Sequence, residues 1–158
     1  MSRMHQEFVN EAVEMAAKNA ENYQGGPFGA LIVKDGEVIG RGVNRVTTIN
    51  DPTAHAEVMA IRDACQRIGD FSLEGAVIYT SCEPCPMCLS AIYWARLSRI
   101  YYAAQSDDAA KAGFDDSFIY KELSLPAEKR TIPKQQVKSD IARKPFDTWI
   151  AMEDKTEY

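Results

Sequence analysis

Hydrophobic residues in the first part of the chain follow a helical spacing and then a strand spacing. Residues 4–23 carry apolar side chains at intervals of three and four, which predicts an amphipathic helix. Two strand-like runs follow, at 28–33 and 37–43, on either side of Asp35-Gly36. An Asp-Gly pair between apolar runs is a strong signal for a tight β-hairpin. The pattern therefore predicts one helix and then a hairpin.

Helical and strand-like segments then alternate along the chain. Four further elements are predicted: a helix at about 54–68, a strand at 76–80, a helix at 89–95 and a strand at 99–103. Such alternation favours a three-layer α/β/α fold, in which a mixed central sheet begins with the hairpin and has helices on both faces. The pattern is weakest after residue 105, where we expect turns and a short final helix at about 146–152.

Length, composition and charge narrow the functional classes. At 158 residues and 46% hydrophobic content, the chain is predicted to form a single domain. It contains no apolar run of the ~20 residues that span a bilayer, and its start lacks a secretory pattern, so we expect a cytoplasmic protein without a membrane partner. The net charge of −5 gives no overall field to attract nucleic acid, and none is expected as a partner.

Three of the four cysteines lie within seven residues, from Cys82 to Cys88, between a predicted strand and a predicted helix. Pro86 suits the first turn of that helix, and the positive end of the helix dipole is expected to lower the thiol pKa values of Cys85 and Cys88. Four cysteines are too few for a disulfide scaffold, so the cluster indicates metal or redox chemistry. Cys65 lies on an apolar helix stripe, where a core role is expected.

A histidine and a glutamate at the start of another predicted helix complete a catalytic metal set. His55 with Cys85 and Cys88 supplies three ligands, the number that leaves a zinc ion one open position for water. Glu57 could reach that water as the acid-base group, although a carboxylate also stabilises a helix N-terminus. Cys82 as a fourth ligand would close the site, but it precedes the helix and is expected not to bind the metal.

The two motifs, His55-Ala56-Glu57 and Pro84-Cys85-Pro86-Met87-Cys88, resemble the signature of zinc-dependent nucleobase deaminases. Further stretches resemble the small bacterial guanine deaminases of the cytidine deaminase superfamily: 25–30, 50–57, 79–96, 112–120, 130–133 and 157–158. The resemblance implies one Zn²⁺ per chain and hydrolysis of guanine to xanthine and ammonia in purine catabolism or salvage. In that reaction, zinc-activated water attacks purine C2 while Glu57 moves protons.

The same resemblance implies a set of substrate-binding groups. Asn44 and the backbone N–H of Ala56 would hydrogen-bond the purine, and Asp116 would accept from the N–H edge of guanine. Phe28 and Trp94 would form walls of the pocket. From the residues alone, Asp115 and Asp116 could equally belong to a solvated turn or helix cap, and the two aromatic residues could be ordinary core.

The resemblance also implies a homodimer whose subunits exchange C-terminal arms, residues 121–158, so that Tyr158 closes the partner's site. A tRNA adenosine deaminase is the main alternative, because it shares both motifs, but it would need a basic RNA-binding face. The basic residues at 129–144 are dispersed along the segment, with Asp140 among them, and a solvated surface is the expected role. Two other classes fit less well: a disulfide oxidoreductase has no use for His55 and Glu57, and a structural zinc module requires a fourth ligand.

Overall fold

The computed structural model describes residues 3–158, and its centre is a mixed sheet with the strand order β2-β1-β3-β4. The strands are β1 Gly29–Lys34, β2 Glu37–Val43, β3 Val77–Cys82 and β4 Arg99–Ala104. Strand β1 pairs antiparallel with β2 and with β3, whereas β3 and β4 are parallel. The hairpin and the mixed sheet predicted from the sequence are confirmed.

The helices include all four that the sequence predicts and several that it does not. They are α1 Arg3–Glu21, α2 Val46–Ile49, α3 Ala56–Ile68, α4 Pro86–Trp94, α5 Ser106–Lys111, α6 Ser117–Ser124 and α7 Lys144–Ala151, with a 3₁₀ turn at Ala127–Lys129. Helices α2, α5 and α6 were expected to be connections or turns. Helices α2 and α5 have only four and six residues, too few for a clear helical periodicity, and α6 begins within the turn-rich stretch 112–118.

Helices cover both faces of the sheet. On one face, α1 packs against the sheet through a cluster that includes Val9, Leu31 and Tyr79. On the other face, α3 and α4 pack against residues such as Ile32 and Ile78. The predicted three-layer α/β/α fold is therefore confirmed. Cys65 packs against the cluster on the α3 and α4 face but is only partly buried. It therefore lies at the edge of the core and not at its centre.

Two glycines on β2 bring the backbone of α3 directly onto the sheet. A Cβ added at Gly40 would lie 2.7 Å from the carbonyl oxygen of Ala60, and one added at Gly42 would overlap the backbone of Ala56 and Ala60. Side chains at these positions would push the helix outward. The close approach therefore fixes the first turn of α3, where His55 and Glu57 lie.

The chain after β4 has a different character. No residue from 105 to 158 is buried, although this region is fully described. Its exposed apolar side chains include Phe118, Leu123, Ile132, Val137, Ile141, Phe146, Trp149 and Ile150. Within residues 3–158, no helix has both the length and the hydrophobicity that crossing a membrane requires.

Candidate active site

Two helix starts converge to form a cluster of metal-binding side chains. His55 is the N-cap residue of α3, and Cys85 is the N-cap residue of α4 with Cys88 one turn later. The Sγ atoms of both cysteines lie 3.5 Å from Nδ1 of His55. All three possible ligand atoms lie within 4.8 Å of one another. The structure thus brings together the three residues that the sequence predicts as ligands.

The separations within the cluster fit a tetrahedral zinc site. Zinc binds sulfur at about 2.3 Å and imidazole nitrogen at about 2.0–2.1 Å, so tetrahedral ligands should have S···N separations of about 3.6 Å. The two observed separations of 3.5 Å match this value closely. One nitrogen and two sulfurs are also a zinc-type donor set with room for a fourth ligand.

The two cysteines of the cluster differ in proton affinity. The pKa of the Cys85 thiol is lowered to about 4. The largest cause is its hydrogen bond with Cys88, and its hydrogen bond with His55 lowers the pKa further. The pKa of Cys88 is instead raised, because Cys88 donates to Cys85, is desolvated, and lies near the Glu57 carboxylate. The sequence-based expectation of two lowered thiol pKa values is therefore wrong for Cys88. Neighbouring charges and burial outweigh the helix dipole there.

Glu57 lies beside the cluster and is only 7% exposed. Its Oε2 accepts a hydrogen bond from Sγ of Cys88 at 3.3 Å. Burial raises the pKa of the Glu57 carboxyl. A raised pKa makes the carboxylate a stronger base than an exposed glutamate, which suits a group that must both take up and release a proton. A carboxylate that only stabilises a helix N-terminus is usually exposed, whereas Glu57 is buried in the wall of the pocket.

Cys82 lies near the metal cluster but does not belong to it. Its thiol donates to the carbonyl oxygen of Gln105 at 3.6 Å. Burial raises the pKa of Cys82 to about 11, so the group stays a protonated thiol at neutral pH. These features agree with the expected non-ligand role of Cys82.

The metal cluster opens into a pocket of about 330 Å³ that also contains several predicted substrate-binding residues. His55, Glu57 and Cys85 line it together with Phe28 and Asn44. Oδ1 of Asn44 accepts hydrogen bonds from the N–H groups of Gly26 and Val46, at 3.3 Å and 3.2 Å. The acceptor end of this side chain is therefore held by the protein, and the donor end is available to a ligand.

Two adjacent aspartates in the pocket have separate roles. Oδ1 of Asp115 accepts hydrogen bonds from the backbone N–H and the hydroxyl of Ser117, at 2.9 Å and 2.5 Å. Asp116 lines the same pocket and makes no side-chain cap hydrogen bond to α6. Partial burial, followed by the nearby Cys85 thiolate, raises the pKa of Asp116. Asp115 is thus a turn-forming residue, whereas Asp116 offers a carboxylate to the pocket.

The remaining predicted substrate-binding residues have different locations. Ala56 is fully buried at the first position of α3, where a backbone N–H has no acceptor within its helix. Trp94 and Tyr158 do not line the pocket of their own chain. They lie beside each other at the far end of α4, with ring centroids 6.3 Å apart, and both are largely exposed. Within a single chain, these two aromatic residues therefore do not belong to the pocket that contains the metal cluster.

Comparison with known proteins places this site in a family. Residues 2–104 match the cytidine and deoxycytidylate deaminase zinc-binding region, a stretch that contains every residue of the metal cluster. The chain belongs to this family of zinc-dependent deaminases. The prediction of a zinc cofactor is thereby confirmed.

Individual relatives of this deaminase agree with that assignment. The chain is 56% identical to the guanine deaminase of Bacillus subtilis (strain 168), over 98% of this chain and 99% of that one. The crystal structure of a Bacillus subtilis guanine deaminase matches it with a TM-score of 0.95, covering 100% of this chain and 99% of that one at 55% identity. The resemblance seen in the sequence is confirmed.

More distant relatives match a smaller share of the chain. A guanine deaminase from Nitrosomonas europaea matches with a TM-score of 0.65 and 31% identity, covering 69% of this chain and 63% of that one. The tRNA-specific adenosine deaminase of Agrobacterium fabrum is 46% identical over 60% of this chain and 62% of its own length.

The sequence did not reveal two residues of this deaminase that attach a segment of the pocket wall, Phe114 in the pocket and Tyr120 beside it. Phe114 packs edge-on against Phe28 with ring centroids 5.0 Å apart, and Tyr120 donates its hydroxyl to the carbonyl oxygen of Pro84 at 3.2 Å. These contacts attach the segment that carries Asp116 to the pocket. Both residues lie in stretches that resemble the family, but only their tertiary contacts reveal what they do.

Proposed function

We propose that this deaminase hydrolyses guanine to xanthine and ammonia. The observation that carries the proposal is that one pocket contains the metal cluster, the buried Glu57 and the carboxylate of Asp116. The close relative from Bacillus subtilis, itself a guanine deaminase, supports the same substrate. Guanine and water contain the atoms of xanthine and ammonia, so no further reactant is needed.

The chemistry assigns Glu57 the proton transfers. A zinc ion held by His55, Cys85 and Cys88 supplies a Lewis acid that lowers the pKa of water to about 7. Glu57 takes a proton from the attacking water and delivers it to a ring nitrogen of the purine. It then takes the proton of the new C2 hydroxyl group and delivers it to the amine, which leaves C2 as ammonia. Because burial raises its pKa, the Glu57 carboxyl is suited to both directions of transfer.

Asp116 supplies a means of selecting guanine. Guanine presents N–H donors at N1 and at its 2-amino group, and an ionised carboxylate can only accept hydrogen bonds. Adenine lacks this pair of donors, so its binding would leave the carboxylate without a partner in a partly buried pocket. An unpaired buried polar group is a strong source of discrimination. Asn44 and the N–H of Ala56 complete the proposed polar contacts, and Phe28 is the proposed apolar wall.

Action on tRNA is the second candidate, favoured by the similarity to the tRNA-specific adenosine deaminase of Agrobacterium fabrum. A groove lined by Arg41, Arg45, Arg62 and Arg67 lies on the surface of β2 and α3. Three of these arginines already form ion pairs: Arg41 with Glu11, Arg62 with Asp51, and Arg67 with Asp63. Paired arginines contribute little free charge to phosphate binding, which favours the small substrate.

The proposed active unit is a homodimer whose subunits exchange residues 121–158, with Trp94 and Tyr158 completing the partner's pocket. Two observations support this arrangement. Tyr158 lies near Trp94 and Phe71, outside its own pocket, and the exchanged arm exposes many apolar side chains within the single subunit. A cytoplasmic location is also proposed, because all four cysteines are free thiols and a reducing compartment preserves them.

Ammonia release from guanine, adenine, cytosine, cytidine and tRNA is the direct test of function. The zinc-loaded protein should release ammonia from guanine, and a zinc chelator should abolish this release until zinc is restored. A preference for tRNA would overturn the proposed substrate. A chelated protein that loses its fold instead of only its activity would indicate a structural zinc module, and thiol-disulfide activity that survives chelation would indicate an oxidoreductase.

A further inference from the structure

Asn19 is a buried polar residue on a helix that has no direct part in the active site. It lies near the end of α1 and is 5% exposed, whereas the other buried residues of this helix are Val9, Ala12 and Ala16. Burial of an amide is unfavourable unless its hydrogen bonds are satisfied. The partners of Asn19 therefore indicate why an amide lies at this position.

Both partners of the Asn19 amide belong to segments that form the pocket. Nδ2 of Asn19 donates to the carbonyl oxygen of Gly26 at 2.8 Å and to that of Asn44 at 2.9 Å. Gly26 precedes Phe28 in the loop before β1, and Asn44 directly follows β2. One buried NH₂ group thus connects two segments that each supply a pocket residue.

A second set of hydrogen bonds carries this connection to the side chain of Asn44. The N–H of Gly26 donates to Oδ1 of Asn44, and the N–H of Asn44 donates to the carbonyl oxygen of Phe28 at 3.2 Å. The N–H of Phe28 also donates to the Gly26 carbonyl oxygen at 2.9 Å, the acceptor that Asn19 shares. Movement of either carbonyl away from Asn19 would therefore move Asn44.

Gly25 shows how closely these two segments approach each other. A Cβ added at Gly25 would overlap the carbonyl oxygen of Asn44 and lie 3.1 Å from Nδ2 of Asn19. The space around the Asn44 carbonyl oxygen is thus filled by the Asn19 amide and the backbone of Gly25, and no side chain fits at position 25.

We propose that Asn19 is a positioning residue that fixes Asn44 and thereby sets the affinity of the pocket for its purine. Asn19 does not line the pocket and acts only through the backbone of Asn44 and Gly26. The inference deepens the proposed function, because it rests on a purine binding at Asn44. It assigns Asn19 no part in metal binding or proton transfer.

The principal test is Asn19→Asp, which keeps the shape of the side chain but replaces its NH₂ donor with an oxygen. Two carbonyl oxygens would then face a carboxylate, and Asn44 should move. Since the buried hydrogen bonds to both carbonyl oxygens are lost, KM for guanine should rise on the order of 10–100-fold while kcat changes less than about threefold. Bound zinc should remain at one per chain.

The matched control is Asn22→Asp, one turn further along and exposed, which should leave KM and kcat unchanged. Gly25→Ala tests the same contact without altering Asn19 and should reproduce the rise in KM, so the inference can be tested even if Asn19→Asp does not fold. An unchanged KM in both Asn19→Asp and Gly25→Ala would overturn the inference.

A double-mutant cycle with Asn44→Ala distinguishes positioning from a general loss of stability. If Asn19 acts through Asn44, adding Asn19→Asp to Asn44→Ala should raise KM further by less than about threefold. If the KM increases of the two single variants instead multiply in the double variant, Asn19 acts independently of Asn44 and the inference is overturned.

Equilibrium binding of 8-azaguanine separates this inference from the proposed function. If the wild type fails to release ammonia from guanine but binds 8-azaguanine more tightly than Asn19→Asp does, the proposed function fails and the inference stands. Equal affinity of the two proteins would overturn the inference whether or not guanine is turned over, and absence of binding by the wild type would overturn both.

Discussion

The metal-binding core and the C-terminal region differ sharply in how they are held in the fold. In the core, Glu57 and Cys88 are buried at the starts of helices that pack directly on the sheet. After residue 104, no side chain is buried, yet this region supplies Asp116 to the pocket and carries Tyr158. The groups for the chemistry thus lie in the buried core, whereas Asp116 and Tyr158, two of the proposed substrate-binding residues, lie in the region without buried side chains.

This difference matches what the two sets of residues must do. Metal ligands and a general base need fixed separations, which buried helix starts provide. Substrate-selecting residues on an external segment can change without loss of the core.

The largest effect is expected for Glu57→Gln, a change within the core. Glutamine keeps the size of the side chain but cannot transfer protons, so kcat for guanine should fall about 10²–10⁴-fold. Zinc content and the unfolding temperature should not fall, since no charged group is left unpaired. Steady-state ammonia release and metal analysis measure these outcomes. The exposed Glu37→Gln is the control, and rapid turnover by Glu57→Gln would refute the assigned proton transfers.

A smaller effect is expected for Asp116→Asn, which alters the external segment. The amide cannot accept two hydrogen bonds from guanine as the carboxylate can, so kcat/KM should fall about 10–100-fold. Zinc content should stay constant. The neighbouring Asp115→Asn is the matched control, because Asp115 is already engaged by Ser117, and kcat/KM should change less than about threefold. Equal losses in the two variants would argue against a specific role for Asp116.

Tyr158→Ala should have a moderate effect and can reveal which subunit's pocket the residue completes. We expect kcat/KM to fall about tenfold through poorer closure of the pocket. Glu57→Gln and Tyr158→Ala subunits are then unfolded, mixed and refolded together. If Tyr158 acts on the partner, mixed dimers contain one intact site, and activity should exceed the average of the two pure variants. Activity at that average would refute exchange of the arm.

The smallest effect is expected for Tyr120→Phe, at the connection between the two regions. The variant loses only the hydrogen bond to the Pro84 carbonyl oxygen, which is worth about 0.5–1.5 kcal/mol, so KM should rise by about two- to tenfold with kcat unchanged. The exposed Tyr102→Phe is the control. A loss of kcat as large as that of Glu57→Gln would show that the connection also holds the catalytic groups.

The core was largely predictable from the sequence because its signals are local. Apolar spacing identified the long helices and strands, Asp35-Gly36 identified the hairpin, and the two motifs identified the three residues of the metal cluster. The helices α2 and α5 were missed, because four and six residues give little periodicity, and α6 was missed because it begins within a turn-rich stretch. The opposite pKa shifts of Cys85 and Cys88 were also missed, since they depend on distances between residues far apart in the chain.

The sequence by itself determined the fold class, the metal and the type of reaction, because motif spacing and helix starts constrain these within a few residues. Only the tertiary structure distinguished Asp116 from Asp115, separated Cys82 from the ligands, and showed that Asn19 contacts Asn44. It also showed Trp94 and Tyr158 together outside their own pocket. Each of these facts depends on side-chain direction and long-range contact, which the order of residues does not specify.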